Sequence, residues 1–432
     1  QSWDSTWWET ASARLTIPSS AGALTVSDEP SRRPAGPATA PGPEARSSLT
    51  DRSPIDLAEL RRAEFPWTAD TIYLNNASIG PLPERTRCEL EAFNRKRAAP
   101  FQLPDREIMA MMADSRRLAA ELIGAAPEEI ALTINTGFGL SLAARALPLK
   151  PGDIVLASDR EFPANVYPWM LLKDAGVTLE LVPTTPEGWP DEARLLERLA
   201  DPRVRVLAVS LVQFSNGYRV DLDRLSRATR ASGTYLVVDA IQAVGQLPVD
   251  LRETPVDVLS CGGQKWLLSP WGSGFVYVRR ALIRELRPSV TGWMAFEGTD
   301  DFTRLTQYND SLRGDARRFE LITLPYQEFA GMNTSLRLLL SIGIQRIADH
   351  LQALHVPVLE WARRRGVRVA SPAGQRGSGI LCVAPADVGA AFRFLKLARV
   401  VSSLREGAIR FSPHFYNTVE EMERVVATLE KL

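Results

Sequence analysis

Tyr235-Leu-Val-Val-Asp239-Ala-Ile-Gln242 and, a little downstream, Val256-Asp-Val-Leu-Ser260-Cys-Gly-Gly-Gln-Lys265-Trp266 decide how the rest of this chain is read. Each begins as an apolar, β-branched run and ends on a reactive group. The first delivers a carboxylate at Asp239, and the second opens through two glycines onto the amine of Lys265. Short apolar runs bounded by turn signals read as strands buried on both faces, the habit of a parallel sheet covered by helices. Ligands of such sheets gather at the C-terminal strand ends, where both groups fall.

Working outward, strand-like and helix-like segments alternate. Ile130–Ile134, Ile154–Ala157, Thr178–Val182, Val204–Val212 and Gly274–Val278 read as further strands, and Leu140–Leu147, Val166–Asp174 and Leu222–Ala231 as helices. Thr136 and Ser158-Asp159 join Asp239 and Lys265 at strand ends. In the tail, Leu321–His355 is helical, Arg363–Pro372 and Gly379–Val383 are strands, and so is Ile409–Ser412. Thr418-Val-Glu-Glu421 is a capping box that opens the final helix. The expected organisation is an α/β protein in three parts. Residues 1–53 form a disordered extension, 54–330 a large mostly parallel-sheet domain with its N-terminal segment, and 331–432 a smaller α+β domain. The extension is rich in Pro, Ala, Gly, Ser and Arg and buries too little apolar surface to fold. Its Trp3, Trp7 and Trp8 suit either a docking patch or a non-structural extension.

At 432 residues the chain can bury a large core. Lys plus Arg and Asp plus Glu number 51 each, so nothing suggests a nucleic-acid or anionic-membrane surface. No apolar run reaches the length of a membrane span and no secretory signal is recognisable, so a cytoplasmic location is expected. Cys88, Cys261 and Cys382 have no metal-ligand spacing; no metal is expected, and Cys88 and Cys382 read as buried thiols.

A strand-end Asp followed by a glycine-flanked Lys is what pyridoxal 5'-phosphate (PLP) chemistry needs. The amine holds the cofactor as a Schiff base, and the carboxylate keeps the pyridine nitrogen protonated so that the ring can accept electrons. Thr136-Gly137-Phe138-Gly139, between a strand and a helix, offers a hydroxyl and backbone N–H groups to a phosphate. Phe162 is placed either to cover one face of the pyridine or to pack in a crowded turn. Gln242, one helical turn past Asp239, could reach the ring hydroxyl. The apolar neighbours of Lys265 argue against a solvated surface lysine.

These segments together resemble class V of the PLP-dependent aminotransferase-fold enzymes, a group with cysteine desulfurases and isopenicillin-N-epimerase-like proteins. The likeness runs from about Ile72 to Leu432. It is carried by Tyr73–Pro81, Glu161–Trp169, Val238–Gly245, Gln264–Gly274, Arg318-Phe-Glu and Ile409–Thr418. It implies PLP-dependent fold type I, with Lys265 as the Schiff-base lysine and Asp239 beside the pyridine nitrogen. Gln242 would take the ring hydroxyl, Thr136 and Gly137 the phosphate, and Phe162 the ring face. Gln264 stands where the family often has histidine. Arg410 would grip a substrate carboxylate, with Asn76 and Ser78 bordering the substrate. Thr323 would reach the phosphate of a second subunit, implying a homodimer with shared sites.

The chain departs from the desulfurase pattern twice. Phe162 replaces a stacking histidine, and Val401–Ile409 carries no sulfur-accepting cysteine. Phe214 stands in place of an Asn near the ring hydroxyl, with Asn216 as a possible substitute. His350 and His355 are expected to be solvated, and no histidine is placed as general base, which leaves proton transfer to Lys265. The expected activity is amino transfer from an amino acid or related amine. A Cβ–S lyase, an epimerase and a non-catalytic descendant of the fold stay open as alternatives.

Overall fold

The computed structural model describes residues 56–431; the extension 1–53 with its three Trp residues lies outside them. Thirteen strands are described: β1 (Ile72–Tyr73), β2 (Ile130–Leu132), β3 (Ile154–Ser158), β4 (Thr178–Val182), β5 (Val204–Ser210), β6 (Tyr235–Asp239), β7 (Val258–Gly262), β8 (Gly274–Val278), β9 (Arg368–Val369), β10 (Leu381–Ala384), β11 (Val400–Val401), β12 (Ser403–Arg405) and β13 (Ala408–Phe411). Seven form one sheet in the order β2-β8-β7-β6-β5-β3-β4. The pairs from β7 to β4 are parallel, whereas β8 runs antiparallel to both its neighbours. The loop between β7 and β8, which holds Lys265, is too short for a covering helix. The chain therefore turns back instead of crossing over.

The alternation along each strand separates two cores. Val155, Val206, Val237, Val258 and Val276 pack with Leu140 and Ala143 of the helix Thr136–Ala146. Leu156, Leu207, Leu236 and Leu259 face the other side and join the larger core. Asp239 shares the face of Val237, so it emerges beneath the start of that helix. Gly139 allows the close approach: a Cβ there would lie 2.1 Å from Val276 Cγ2 and 2.3 Å from Ser260 Oγ.

A second sheet, β12-β13-β10-β9, lies beyond position 331, and the helix Tyr326–Ile342 runs across that position. β1 pairs in parallel with β11, and Asn75 bridges to Ser412. The segment after β1 thus passes from the small sheet to the lysine loop. The capping box forms as read: Thr418 Oγ1 accepts from Glu421 N at 3.3 Å, and Glu421 Oε2 accepts from Thr418 N at 3.1 Å.

Four readings change. Val166–Asp174 is one α-turn (Tyr167–Met170) and a 3₁₀ stretch (Leu171–Ala175). Pro168 sits in the opening turn, and Gly176, at φ 76°, ends it in the left-handed region. Arg363–Arg365 completes the helix Ile344–Arg365 instead of entering a strand, because basic residues favour a helix C-terminus and Gly366 closes it at φ 62°. Cys88 is exposed, whereas Cys261 and Cys382 are buried. His355 is buried against the core; burial pushes its imidazole down to about 4. Among the described residues no helix is long and apolar enough to cross a membrane.

Candidate active site

Asp239 ends β6 in register with Ser210 on one side and Ser260 on the other. Its carboxylate is 3% exposed and accepts from Ile241 N at 3.0 Å. Burial raises it to about 6 against the pull of that N–H and of the nearby Lys265 charge. A buried carboxylate with so little support needs a cationic or N–H partner. The protonated nitrogen of a pyridinium is such a partner, so this position fits PLP.

Ser260 Oγ donates to Thr136 O at 2.9 Å, tying the strand end to the start of the helix Thr136–Ala146. Thr136 Oγ1 accepts from Gly262 N at 2.8 Å, so its own proton is free to be donated. Asn135 Oδ1 caps Phe138 N at 2.8 Å, and among the described residues no acceptor meets the N–H of Gly137. A hydroxyl and an uncapped N–H at a helix N-terminus suit a phosphate.

Lys265 follows β7 through Gly262, Gly263 and Gln264. Its Nζ lies 5.4 Å from the centre of the Phe162 ring. Burial brings the amine down to about 8, with the Asp239 carboxylate opposing and Arg410 reinforcing the shift. Phe162 is 41% exposed and meets Phe214 edge-on at 5.2 Å. Its ring face is therefore available above the lysine rather than packed in a turn. The loop is held from several directions. Gly80 N donates to Gln264 O at 2.8 Å, Trp266 Nε1 donates to Gln242 Oε1 at 2.8 Å, and His414 Nε2 meets Trp266 O at 3.0 Å. A Cβ on Gly80 would lie 2.0 Å from Lys265 O, so only glycine permits this approach.

Arg410, on β13, is 1% exposed. Its Nη2 donates to Ser78 Oγ at 2.7 Å, Nη1 to Phe214 O at 2.6 Å and Nε to Ser403 Oγ at 3.2 Å. Burial lowers it to about 10, with Arg405 adding to the shift. Ser78, Lys265, Asp239, Thr136, Gly137, Phe162 and Arg410 thus meet around the C-terminal end of the large sheet.

Other residues singled out from the sequence are committed elsewhere. Asn76 is fully buried; it donates to Ser412 O at 2.8 Å and accepts from Tyr416 Oη at 3.0 Å. It braces the segment that carries Ser78. Gln242 donates one amide N–H to Ala77 O at 2.9 Å and accepts from the Trp266 indole, which fixes its orientation and leaves its second N–H unspent. Asn216 does not replace the missing Asn near the ring: its side chain closes its own turn onto Gly188 O and Tyr218 N. Thr323 is exposed, and its side chain is hydrogen-bonded with Tyr326.

Two groups were missed. Glu161, directly before Phe162, is buried and accepts from Ser210 N (3.0 Å), Gln213 Nε2 (2.8 Å), Asn165 Nδ2 (3.2 Å) and the Ser210 hydroxyl. Burial raises its carboxyl despite these four donors. Asp159 and Arg160 stand directly before it, so nothing in the local sequence marked this acid as the buried one. Arg405 also reaches Ser78 Oγ, at 3.3 Å, and nothing local in its sequence marks it.

The aminotransferase class-V family model matches residues 72–425. An uncharacterized aminotransferase, YcbU of Bacillus subtilis, is 30% identical over 312 residues, covering 72% of this chain and 81% of that protein. An isopenicillin N epimerase of Amycolatopsis lactamdurans is 27% identical over 380 residues, covering 83% and 94%. The apo structure of a cysteine desulfurase from Thermococcus onnurineus NA1 superposes with a TM-score of 0.78 at 23% identity, covering 87% and 98%, which concerns the fold alone. The chain is a PLP-dependent enzyme that belongs to the class-V aminotransferase family.

Proposed function

We propose that this enzyme transfers the amino group of an amino acid or related amine, with Lys265 carrying PLP and moving the α-proton. The observation that carries the reading is the buried amine of Lys265, 5.4 Å from the centre of the Phe162 ring and within the electrostatic reach of Asp239 and Arg410. When bound, PLP supplies an aldehyde for the amine and a ring that stores the electrons left by Cα–H cleavage.

The protein's part follows from its own groups. The Asp239 carboxylate would hold a proton at the pyridine nitrogen. The Thr136 hydroxyl and the Gly137 N–H would bind the phosphate, and Phe162 would cover one ring face. Arg410 keeps one unspent N–H on each terminal nitrogen, a fork that matches a carboxylate. The Lys265 amine, when free, would be basic enough near pH 8 to take and return the α-proton. Gln242 and Gln264 act chiefly by shaping the lysine loop. Thr323, being exposed, is free to reach the phosphate of a second subunit, so a homodimer with shared sites is part of the proposal, as is a cytoplasmic location.

The two buried thiols, Cys382 and Cys261, speak against sulfur transfer through either of them. Cys382 lies opposite Arg410 but is buried, and burial pushes its thiol up to about 12. Cys261 is likewise buried and raised. Neither is an accessible nucleophile.

The test is the visible spectrum of the purified holoenzyme with a panel of amino acids, beside Lys265→Ala. Loss of the yellow band with release of one keto acid per site supports amino transfer. Release of pyruvate, ammonia or sulfide instead assigns a lyase, and inversion at Cα with no net loss of the band an epimerase. Absence of a visible band in PLP-reconstituted wild type overturns the proposal.

A further inference from the structure

Two guanidinium groups converge on one hydroxyl at the site. Arg410 Nη2 and Arg405 Nη2 lie 2.7 and 3.3 Å from Ser78 Oγ. Arg405 ends β12 and Arg410 sits within β13, and the register pairs Ser403 with Arg410 and Arg405 with Ala408. Side chains alternate along a strand, so Ser403, Arg405, Ala408 and Arg410 share one face and the two arginines are diagonal neighbours on it. The tight turn between the strands, with Glu406 at φ 45° and Gly407 at φ 74°, fixes that placement.

Like charges this close oppose one another, and one of them is almost wholly buried. Among the described residues no carboxylate pairs with either. The partners of Arg410 are two hydroxyls and a carbonyl, and those of Arg405 are Leu404 O and Ser78 Oγ. A guanidinium has five N–H donors. Both groups therefore keep unspent donors, and the pair carries two positive charges with no carboxylate paired to either among the described residues. A single substrate carboxylate would neutralise only half of this.

We infer that the substrate is an acidic amino acid, its α-carboxylate held by Arg410 and a second carboxylate, at the end of its side chain, held by Arg405. This rests on Arg410 taking the α-carboxylate, as proposed above. Ser78 keeps the two forks at a fixed spacing, and Arg405 becomes the residue that sets specificity.

The test uses the holoenzyme and ligands that cannot react. Butyrate, succinate and glutarate are titrated by calorimetry, or by the shift of the visible band, into wild type, Arg405→Gln and Arg405→Lys. In wild type the better dicarboxylate should bind at least about 10-fold tighter than butyrate, the worth of one charge-assisted contact. Arg405→Gln should bring that ratio close to one, and Arg405→Lys should restore part of it. With an acidic amino donor, Arg405→Gln should raise KM by about 10- to 100-fold while kcat changes much less. A wild-type ratio near one, or a ratio unchanged in Arg405→Gln, overturns the inference. If dicarboxylates bind selectively but no donor bleaches the cofactor, amino transfer fails and this assignment stands. If a neutral donor bleaches it and the ratio is one, only this assignment fails.

Discussion

Asp239→Asn should separate stability from activity in this enzyme. The Asp239 carboxyl is 3% exposed and titrates near 6 instead of at its usual 3.8, chiefly because burial disfavours its charge. At about 1.4 kcal/mol per pH unit, holding it ionised in the cofactor-free protein costs about 3 kcal/mol. Between pH 3.8 and 6 the folded protein keeps a proton that the unfolded chain has lost, so stability falls as pH rises through that window. Above it the full cost is present, and below it the cost is gone. Asparagine keeps the acceptor for Ile241 N and carries no charge. The cofactor-free variant should therefore be more stable than wild type by about 3 kcal/mol at pH 7.5, and by only about 1 kcal/mol at pH 4.5. Urea denaturation of both proteins at the two pH values, read by fluorescence and circular dichroism, measures the difference. The same substitution should reduce turnover strongly in the holoenzyme, since nothing then holds a proton at the pyridine nitrogen. A variant no more stable than wild type at pH 7.5, or a gain that does not grow between pH 4.5 and 7.5, would refute the account of Asp239.

Further outcomes follow from the same geometry. Only the neutral form of Lys265 attacks an aldehyde, and with the amine near 8 about one-tenth is neutral at pH 7 and about nine-tenths at pH 9. PLP uptake by the cofactor-free enzyme, followed at the visible band, should quicken several-fold over that range; a flat profile would contradict the lowered amine. Arg410→Lys loses the planar fork, so KM for carboxylate-bearing substrates should rise about 10- to 100-fold; steady-state kinetics with an amine lacking the carboxylate provides the control. Gly80→Ala drives a methyl group against Lys265 O, a backbone atom that can yield only if the lysine loop shifts. A loss of about 1–3 kcal/mol and weaker cofactor retention are expected, and a wild-type melting temperature would argue against the close approach. Glu161→Gln replaces an acceptor of four donors with an amide that has one acceptor oxygen. It should cost about 1–3 kcal/mol by urea denaturation, and no loss would mean that the carboxylate is not what orders the turn carrying Phe162.

How much of this was legible in the sequence depends on the range of the interaction involved. The strand at Tyr235–Asp239 and the final helix with its Thr418 box follow from the apolar pattern and capping chemistry of a few neighbouring residues. The placement of Asp239, Lys265, Thr136 and Gly137 was legible because strand ends of a parallel sheet meet on one edge whatever the details of packing. Phe162 could be placed near the lysine, but whether its ring would face the site or the core could not. Its 41% exposure and its distance from Lys265 are properties of the assembled loops.

Local pattern sufficed for the mostly parallel sheet, for the amine and the carboxylate at its edge, and for the family to which the chain belongs. Each of these is written in short segments whose pattern is local. The antiparallel return of β8, the burial of His355 and the exposure of Cys88 came only with the packing of distant segments. That packing also turned Asn76 and Gln242 into braces of the loops around Lys265. The meeting of Arg405 and Arg410 at Ser78 belongs with these, because it joins residues more than three hundred positions apart. Partners so distant leave no trace in the residues beside them, since a hydrogen bond or an uncompensated charge depends on where the chain has folded, not on its local order.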